Sequence, residues 1–199
     1  VILATAVAEK LHHYFQEAKI DFVVRKGCEA VLKNHPFIKD VILYDKSKNK
    51  ALNLRKVTFK IRRRNYQCVV NILRFGSSAI MAALSGAKYK TGFNKSPLWF
   101  LYDKVVNHTL GGGTHEVVRN AKLVEDITNT GVMNPRLYPT PADFSAIEKY
   151  KKPSYICIAP ASKWFTKQWP VEKWIGLIKK IDPLVYIYLL GGHDDLVQC

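Results

Sequence analysis

The chain has 199 residues, room for one large domain or one domain and part of another, with 48% hydrophobic and 24% charged residues. That balance excludes a disordered or low-complexity chain and allows a sizeable core, and no apolar run reaches the length of a membrane span. Lysine and arginine number 31 against 16 acidic residues, a net charge of +15. The excess favours a polyanionic partner: nucleic acid, an anionic membrane surface or a phosphorylated substrate. Charge alone does not choose among them, and a solvated basic surface is the plain alternative.

In chain order, residues 1–18 read as an amphipathic helix, with Ile2, Val7, Leu11 and Phe15 at helical spacing. Residues 20–24 form a short β-branched strand. Residues 29–33 are helix-like and stop at Asn34-His35-Pro36. Residues 41–44 are a strand, and 51–66 a basic helix carrying Arg55, Lys56, Lys60 and the run Arg62-Arg63-Arg64. Residues 68–73 make a buried strand, 77–84 a small-residue helix ended by Ser85-Gly86, and 88–93 and 105–107 two more strands. Thr114 is the expected cap of a helix over 115–128. Short, continuous apolar strands alternating with helices predict an α/β domain with a parallel sheet.

The character changes at "NPRLYPTPADF", which carries three prolines. Residues 136–153 therefore read as a connection between a first domain over 1–135 and a second over 154–199. Within it Thr140 suits an N-cap, Pro141 the first helical position and Asp143 the first turn. The second α/β unit opens with a strand over 155–159, a helix over 170–181 and a strand over 184–190. Gly191-Gly192 then turns the chain toward a last helix.

The cysteines, Cys28, Cys68, Cys157 and Cys199, form no C-x-x-C pair, and no Cys/His grouping has zinc spacing. Free thiols fit a reducing cytoplasm, and no metal site is expected.

The segment "ICIAPASKWFTKQWPVEKWIGLIKKI" carries the most chemistry. It reads as strand, polar loop, helix. The loop brings Ser162, Lys163, Thr166, Lys167 and Gln168 to a helix N-terminus, where free N–H groups and the helix dipole favour an anion. It also lies beyond the carboxyl end of a strand, the usual ligand position in open α/β sheets. A diphosphate fits there; a surface loop with solvated lysines is the alternative. Trp169 and Trp174 read as core.

Pro160, Ala161, Ser162, Lys167, Trp169 and Pro170 resemble the P-G-A-(S/T)-x-x-x-K-x-W-P segment of glycosyltransferase family 9, the heptosyltransferases, with one extra residue before the lysine relative to some members. "VILATAVAEKL", "NHPFIKDVILYD", "YQCVVNILRFGSSAIMAALSGAKYKTGFN", "HEVVRNAKLVEDI" and "VYIYLLGGHDD" are similar to further family segments, so the resemblance covers nearly the whole chain.

The resemblance implies a GT-B type fold of two Rossmann-like domains, the second truncated in this chain. It implies an inverting, metal-independent transferase that moves a heptose from ADP-heptose to a Kdo-lipid A type acceptor, with no cofactor besides that donor. Ser162 and Lys167 would contact the diphosphate. Asp195 would bind the ribose or base edge, or else serve only as a helix-start carboxylate. Arg74, Ser77, Ser78 and Arg119 fall at acceptor-side positions, although Arg119 can equally pair with Glu116. His193 reads as a turn residue and His115 as structural. Arg62-Arg63-Arg64 would either touch anionic lipid or form a solvated helix face. The family's general-base Asp would stand immediately before Val1, so these 199 residues by themselves are expected to be inactive. The implied setting is cytoplasmic and peripheral to the inner membrane, with a nucleotide-sugar donor, an anionic lipid-linked oligosaccharide acceptor and no nucleic acid. The competing readings are an enzyme using another nucleotide sugar, a noncatalytic relative, and a basic α/β module that binds nucleic acid.

Overall fold

The structure, a computed structural model, describes all residues except 48, 110, 163, 193, 194 and 196–199. The chain divides into two compact units, Val1–Tyr138 and Pro139–Cys199. Residues 136–153, expected as a connection, are shared between them.

The first unit opens with a 3-10 turn, Ile2–Ala4, and helix α1, Thr5–Tyr14. The helix is shorter than the expected 1–18 because Phe15 leaves helical geometry (φ −130°, ψ 78°). Strands β1 (Ile20–Arg25) and β2 (Ile38–Tyr44) pair in parallel. Between them residues 29–33 keep only a 3-10 turn, Ala30–Leu32, and Asn34 takes a left-handed φ of 65°. Helix α2 spans Lys50–Arg62. It stops short of residue 66 because Asn65 is left-handed (φ 49°), a conformation that asparagine tolerates and a helix does not. Strand β3 (Cys68–Asn71), helix α3 (Gly76–Ala83) and strands β4 (Tyr89–Phe93) and β5 (Lys104–Val106) follow. Gly86 has a positive φ of 73° just beyond α3, the usual device for leaving a helix.

Parallel pairing and α/β alternation are as expected, but the described strands of this unit form two sheets, β1-β2 and β3-β4-β5. Side chains tie the segment between α2 and β3 to the first of them. Arg64 reaches Asp21 on β1 and Asp40 on β2 at 2.5 Å each, and the Tyr66 hydroxyl donates to Asp21 at 2.5 Å. The arginine fork holds the Asp40 carboxyl below the usual carboxylate range, and burial beside Asp21 pushes the Tyr66 phenol up to about 12.

Ile42, Tyr44, Val57, Ile61 and Met81 form the core where α2 and α3 cover β2. Helix α1 packs on α4 (Glu116–Ala121), burying Ala6, Val7, Ala8, Val117 and Ala121. The cap of α4 is not Thr114 but the next residue: His115 Nδ1 accepts the Val117 N–H at 3.3 Å. The helix passes at once into a 3-10 turn, Lys122–Val124, rather than continuing to 128. Lys10 is 1% exposed and points its ammonium at two carbonyls, Asn129 (2.6 Å) and Ala121 (3.5 Å). Burial lowers its pKa, as the absence of water around a cation requires. The Arg136 N–H donates to Thr5 Oγ1 and the Tyr138 hydroxyl to Glu9, so the last residues of the unit close over its first helix.

Gly92 on β4 has a structural reason. A Cβ there would lie 2.3 Å from the Tyr102 ring. That ring is fixed by its hydroxyl, which accepts from Asn71 Nδ2 (2.7 Å) and bonds Ser96 Oγ (2.8 Å).

The second unit begins with α5 (Pro141–Glu148), entered through the capping box expected at Thr140: its hydroxyl accepts the Asp143 N–H and the Asp143 carboxylate accepts the Thr140 N–H. Strands β6 (Tyr155–Ile158) and β7 (Tyr186–Leu189) pair in parallel with α6 (Val171–Ile178) between them in sequence. Ile158 is the one buried residue among those described in this unit. Trp169 and Trp174 stack edge to face at 4.7 Å, yet Trp169 remains half in solvent and is not the core anchor expected.

Candidate functional site

In a parallel α/β sheet the strand ends and helix starts converge at the carboxyl edge, where free N–H groups face a ligand. In the second unit both expected donor segments leave from that edge. β6 ends at Ile158 and runs into the loop 159–170. β7 ends at Leu189, and the Leu190 N–H still donates to the Ile158 carbonyl at 2.7 Å, so the two exits lie side by side.

The loop is internally braced. Ser162 Oγ accepts the Trp164 N–H at 3.3 Å, Gln168 Nε2 donates to the Ser162 carbonyl at 2.7 Å, and a 3-10 turn spans Phe165–Lys167. Lys167 is exposed in this turn, three residues before Pro170, which caps α6. Trp164 and Phe165 are exposed as well, Phe165 at 86%, so apolar rings stand in water beside the lysine. At the neighbouring exit Asp195 and Gly192 bond reciprocally: the Gly192 N–H donates to Asp195 Oδ2 (2.8 Å) and the Asp195 N–H to the Gly192 carbonyl (3.0 Å). The Asp195 carboxylate thus braces the glycine turn. Lys163 and His193 lie outside the described residues, as does the helix expected beyond 195.

In the first unit, Arg74 follows β3 and is exposed, while Ser77 and Ser78 stand in the first turn of α3. The Ser78 hydroxyl donates to the Phe75 carbonyl at 2.8 Å. Arg119 binds the Glu116 carboxylate and the Thr114 carbonyl, so the ion pair on its own helix is the one formed, while its Nε is buried without a partner among the described residues.

One residue that sequence reasoning passed over joins this group. His108 lies two residues beyond β5 and is buried against the Phe93 ring (4.7 Å, edge to face). Its N–H donates to Asn94 Oδ1 at 2.9 Å, and its Nδ1 has no partner among the described residues. Burial, then the fields of Arg74 and Arg119, lowers its pKa. Two arginines from separate segments therefore act on one buried imidazole at the carboxyl edge of β3-β4-β5. The available signal was position, since His108 follows a strand end. Its neighbours are set only by the fold.

Among the described residues no group of three or more His, Cys, Asp or Glu side chains is placed to hold a metal ion, and no helix is long and apolar enough to cross a membrane.

Comparison with known proteins adds to this geometry. The model of glycosyltransferase family 9 (heptosyltransferase) matches residues 54–198. The chain matches no curated protein. Among solved structures it is similar to a glycosyl transferase family 9 protein from Veillonella parvula DSM 2008, with TM-score 0.80, 20% identity, and 99% of this chain on 60% of that one. It is similar to E. coli ADP-heptose lps heptosyltransferase II, with TM-score 0.78, 18% identity, and 98% on 61%. It is also similar to E. coli heptosyltransferase WaaC with ADP-2-deoxy-2-fluoro heptose, with TM-score 0.67, 19% identity, and 98% on 66%. The chain thus spans about three fifths to two thirds of the length of these structures.

Proposed function

The chain belongs to glycosyltransferase family 9, and from that membership we propose that the intact protein is an inverting, metal-independent heptosyltransferase of GT-B type, moving a heptose from ADP-heptose to a lipopolysaccharide inner-core acceptor. The observation that carries the reading is the pair of adjacent strand exits in the second unit, one holding Ser162 and Lys167 and the other the Gly191-Gly192-Asp195 turn.

The chemistry asks for such an arrangement. Breaking the bond between sugar and diphosphate builds negative charge on the leaving phosphate, which a fixed donor set stabilises more than it does the ground state. Lys167 supplies a compact positive charge and Ser162 a hydroxyl. Asp195 holds the glycine turn against which the nucleoside would lie. On the acceptor side Arg74 and Arg119 suit phosphate groups, and Ser77 and Ser78 suit sugar hydroxyls. All of these residues bind or orient, and none is assigned as the general base. The acceptor would be met at the cytoplasmic face of the inner membrane.

The test is an assay of the intact protein with ADP-heptose and a Kdo-lipid A acceptor, read by mass of product. Lys167→Ala is expected to reduce turnover by roughly 100-fold or more, the size of effect seen when one transition-state donor is removed. Turnover with a different nucleotide sugar alone would keep the transferase and discard the heptose. Absence of turnover with every donor, together with steeply salt-dependent nucleic-acid binding, would overturn the enzyme reading.

A further inference from the structure

The basic run Arg62-Arg63-Arg64 does not act as one feature. Arg64 is committed to Asp21 and Asp40, and Lys60 is drawn to Asp40 at 3.9 Å. Arg55, Lys56, Arg62 and Arg63 have no carboxylate partner among the described residues, and all four are exposed. Helix α2 itself contains five basic residues and no acidic one.

The same surface is apolar where it is not charged. Phe59 is 60% exposed and Leu52 nearly half exposed. Arg63 lies over the Phe59 ring, 5.8 Å from its centroid. Between α2 and α3 runs an open groove of about 360 Å³, floored by Leu54, Phe59, Ile80 and Leu84, with Arg55 and Arg62 on its rim.

We propose that this face of α2 and α3 docks on an anionic phospholipid bilayer, Phe59 and its apolar neighbours entering the interface and Arg55, Lys56, Arg62 and Arg63 meeting the headgroup phosphates. Aromatic and aliphatic groups ringed by unpaired cations are the make-up of an interfacial helix face. A nucleic-acid backbone would use the cations and leave Phe59, Leu52 and Leu84 in water. A neutral protein surface would have to desolvate four unpaired cations without compensation. An anionic bilayer surface satisfies both parts at once, each basic residue near it strengthening binding by about fivefold. The inference rests on the reading of a lipid-linked acceptor and sharpens it by naming the surface that would carry the protein there. The vesicle test needs neither donor nor acceptor, so its failure and that of sugar transfer are read separately.

The experiment is flotation of the chain with vesicles of phosphatidylcholine alone and of phosphatidylcholine with phosphatidylglycerol, at low and high salt. Binding is expected only with phosphatidylglycerol and to weaken with salt. Arg62→Glu with Arg63→Glu is expected to reduce it by more than about tenfold. Phe59→Ser should reduce the part that survives salt. The matched change Lys179→Glu with Lys180→Glu, on the other unit, should leave binding nearly intact. Circular dichroism checks folding, since none of these side chains is buried. Equal binding to phosphatidylcholine alone, equal loss from the two double variants, or no effect of Phe59→Ser together with displacement by RNA would each overturn the proposal.

Discussion

The two units are written in the same grammar, parallel strands joined by helices, and they differ in what they bury. In Val1–Tyr138, Phe93, Thr91, Leu123 and Val124 are closed off completely and two helices cover β2. In Pro139–Cys199 the strands and α6 are as apolar as those of the first unit, yet Leu184, Tyr186, Leu190 and Ile175 stand in water. The difference teaches that apolar content in a strand specifies a layer only where other layers exist to meet it. The two strands and two short helices among the described residues of that unit supply little cover. Exposed apolar faces of this kind also favour association.

Four measurements would break or sharpen that contrast. Phe93→Ala is expected to destabilise the first unit by roughly 3–5 kcal/mol, read as a shift of the urea midpoint, and to leave hydrogen exchange of β6 and β7 unchanged. Gly92→Ala drives a methyl into the fixed Tyr102 ring and should destabilise the same unit by about 1–3 kcal/mol; Tyr102→Leu in the same chain should recover part of the loss. Acidification should act more weakly, and on the first unit. Burial lowers the pKa of His35 and of His108, so the unfolded chain binds more protons between those lowered values and the ordinary 6.5. Stability is therefore complete above about pH 6.5 and falls as pH drops through that window. For His35 burial outweighs the attraction of Glu9, 3.5 Å away, so the net shift is downward. His35→Gln should flatten the profile. The smallest effect is expected from Ile175→Ala in the second unit, within about 0.5 kcal/mol. A loss there as large as that from Phe93→Ala would mean the second unit has a core of its own.

Much of this was readable in the chain beforehand. Strands announced themselves by apolar runs, and Thr140 with Asp143 wrote out a capping box in four residues. The misplaced boundaries have local causes. Asn65 ends α2 early by adopting left-handed backbone, a choice its side chain permits but does not announce. Thr114 was the better cap by preference and His115 took the position through its ring nitrogen. At the strand edges, the loop from Ser162 to Lys167 was legible because its residues are local to one another. His108 was not, because its significance comes from Arg74 and Arg119, which only the folded sheet brings within reach of it. The split within Arg62-Arg63-Arg64 was hidden for the same reason: Asp21 and Asp40 are distant in sequence.

Lys10 has a bearing on how the protein is made. Its ammonium is satisfied by a carbonyl 119 residues further along, at Asn129, and Thr5 and Glu9 wait for partners at 136 and 138. During synthesis α1 leaves the ribosome long before any of these exist. Until residue 129 has emerged, the first helix has a lysine to bury without the carbonyl that receives it. Its docking is thus a late event on the ribosome, and the nascent chain is exposed to chaperones and proteases for most of the unit's translation.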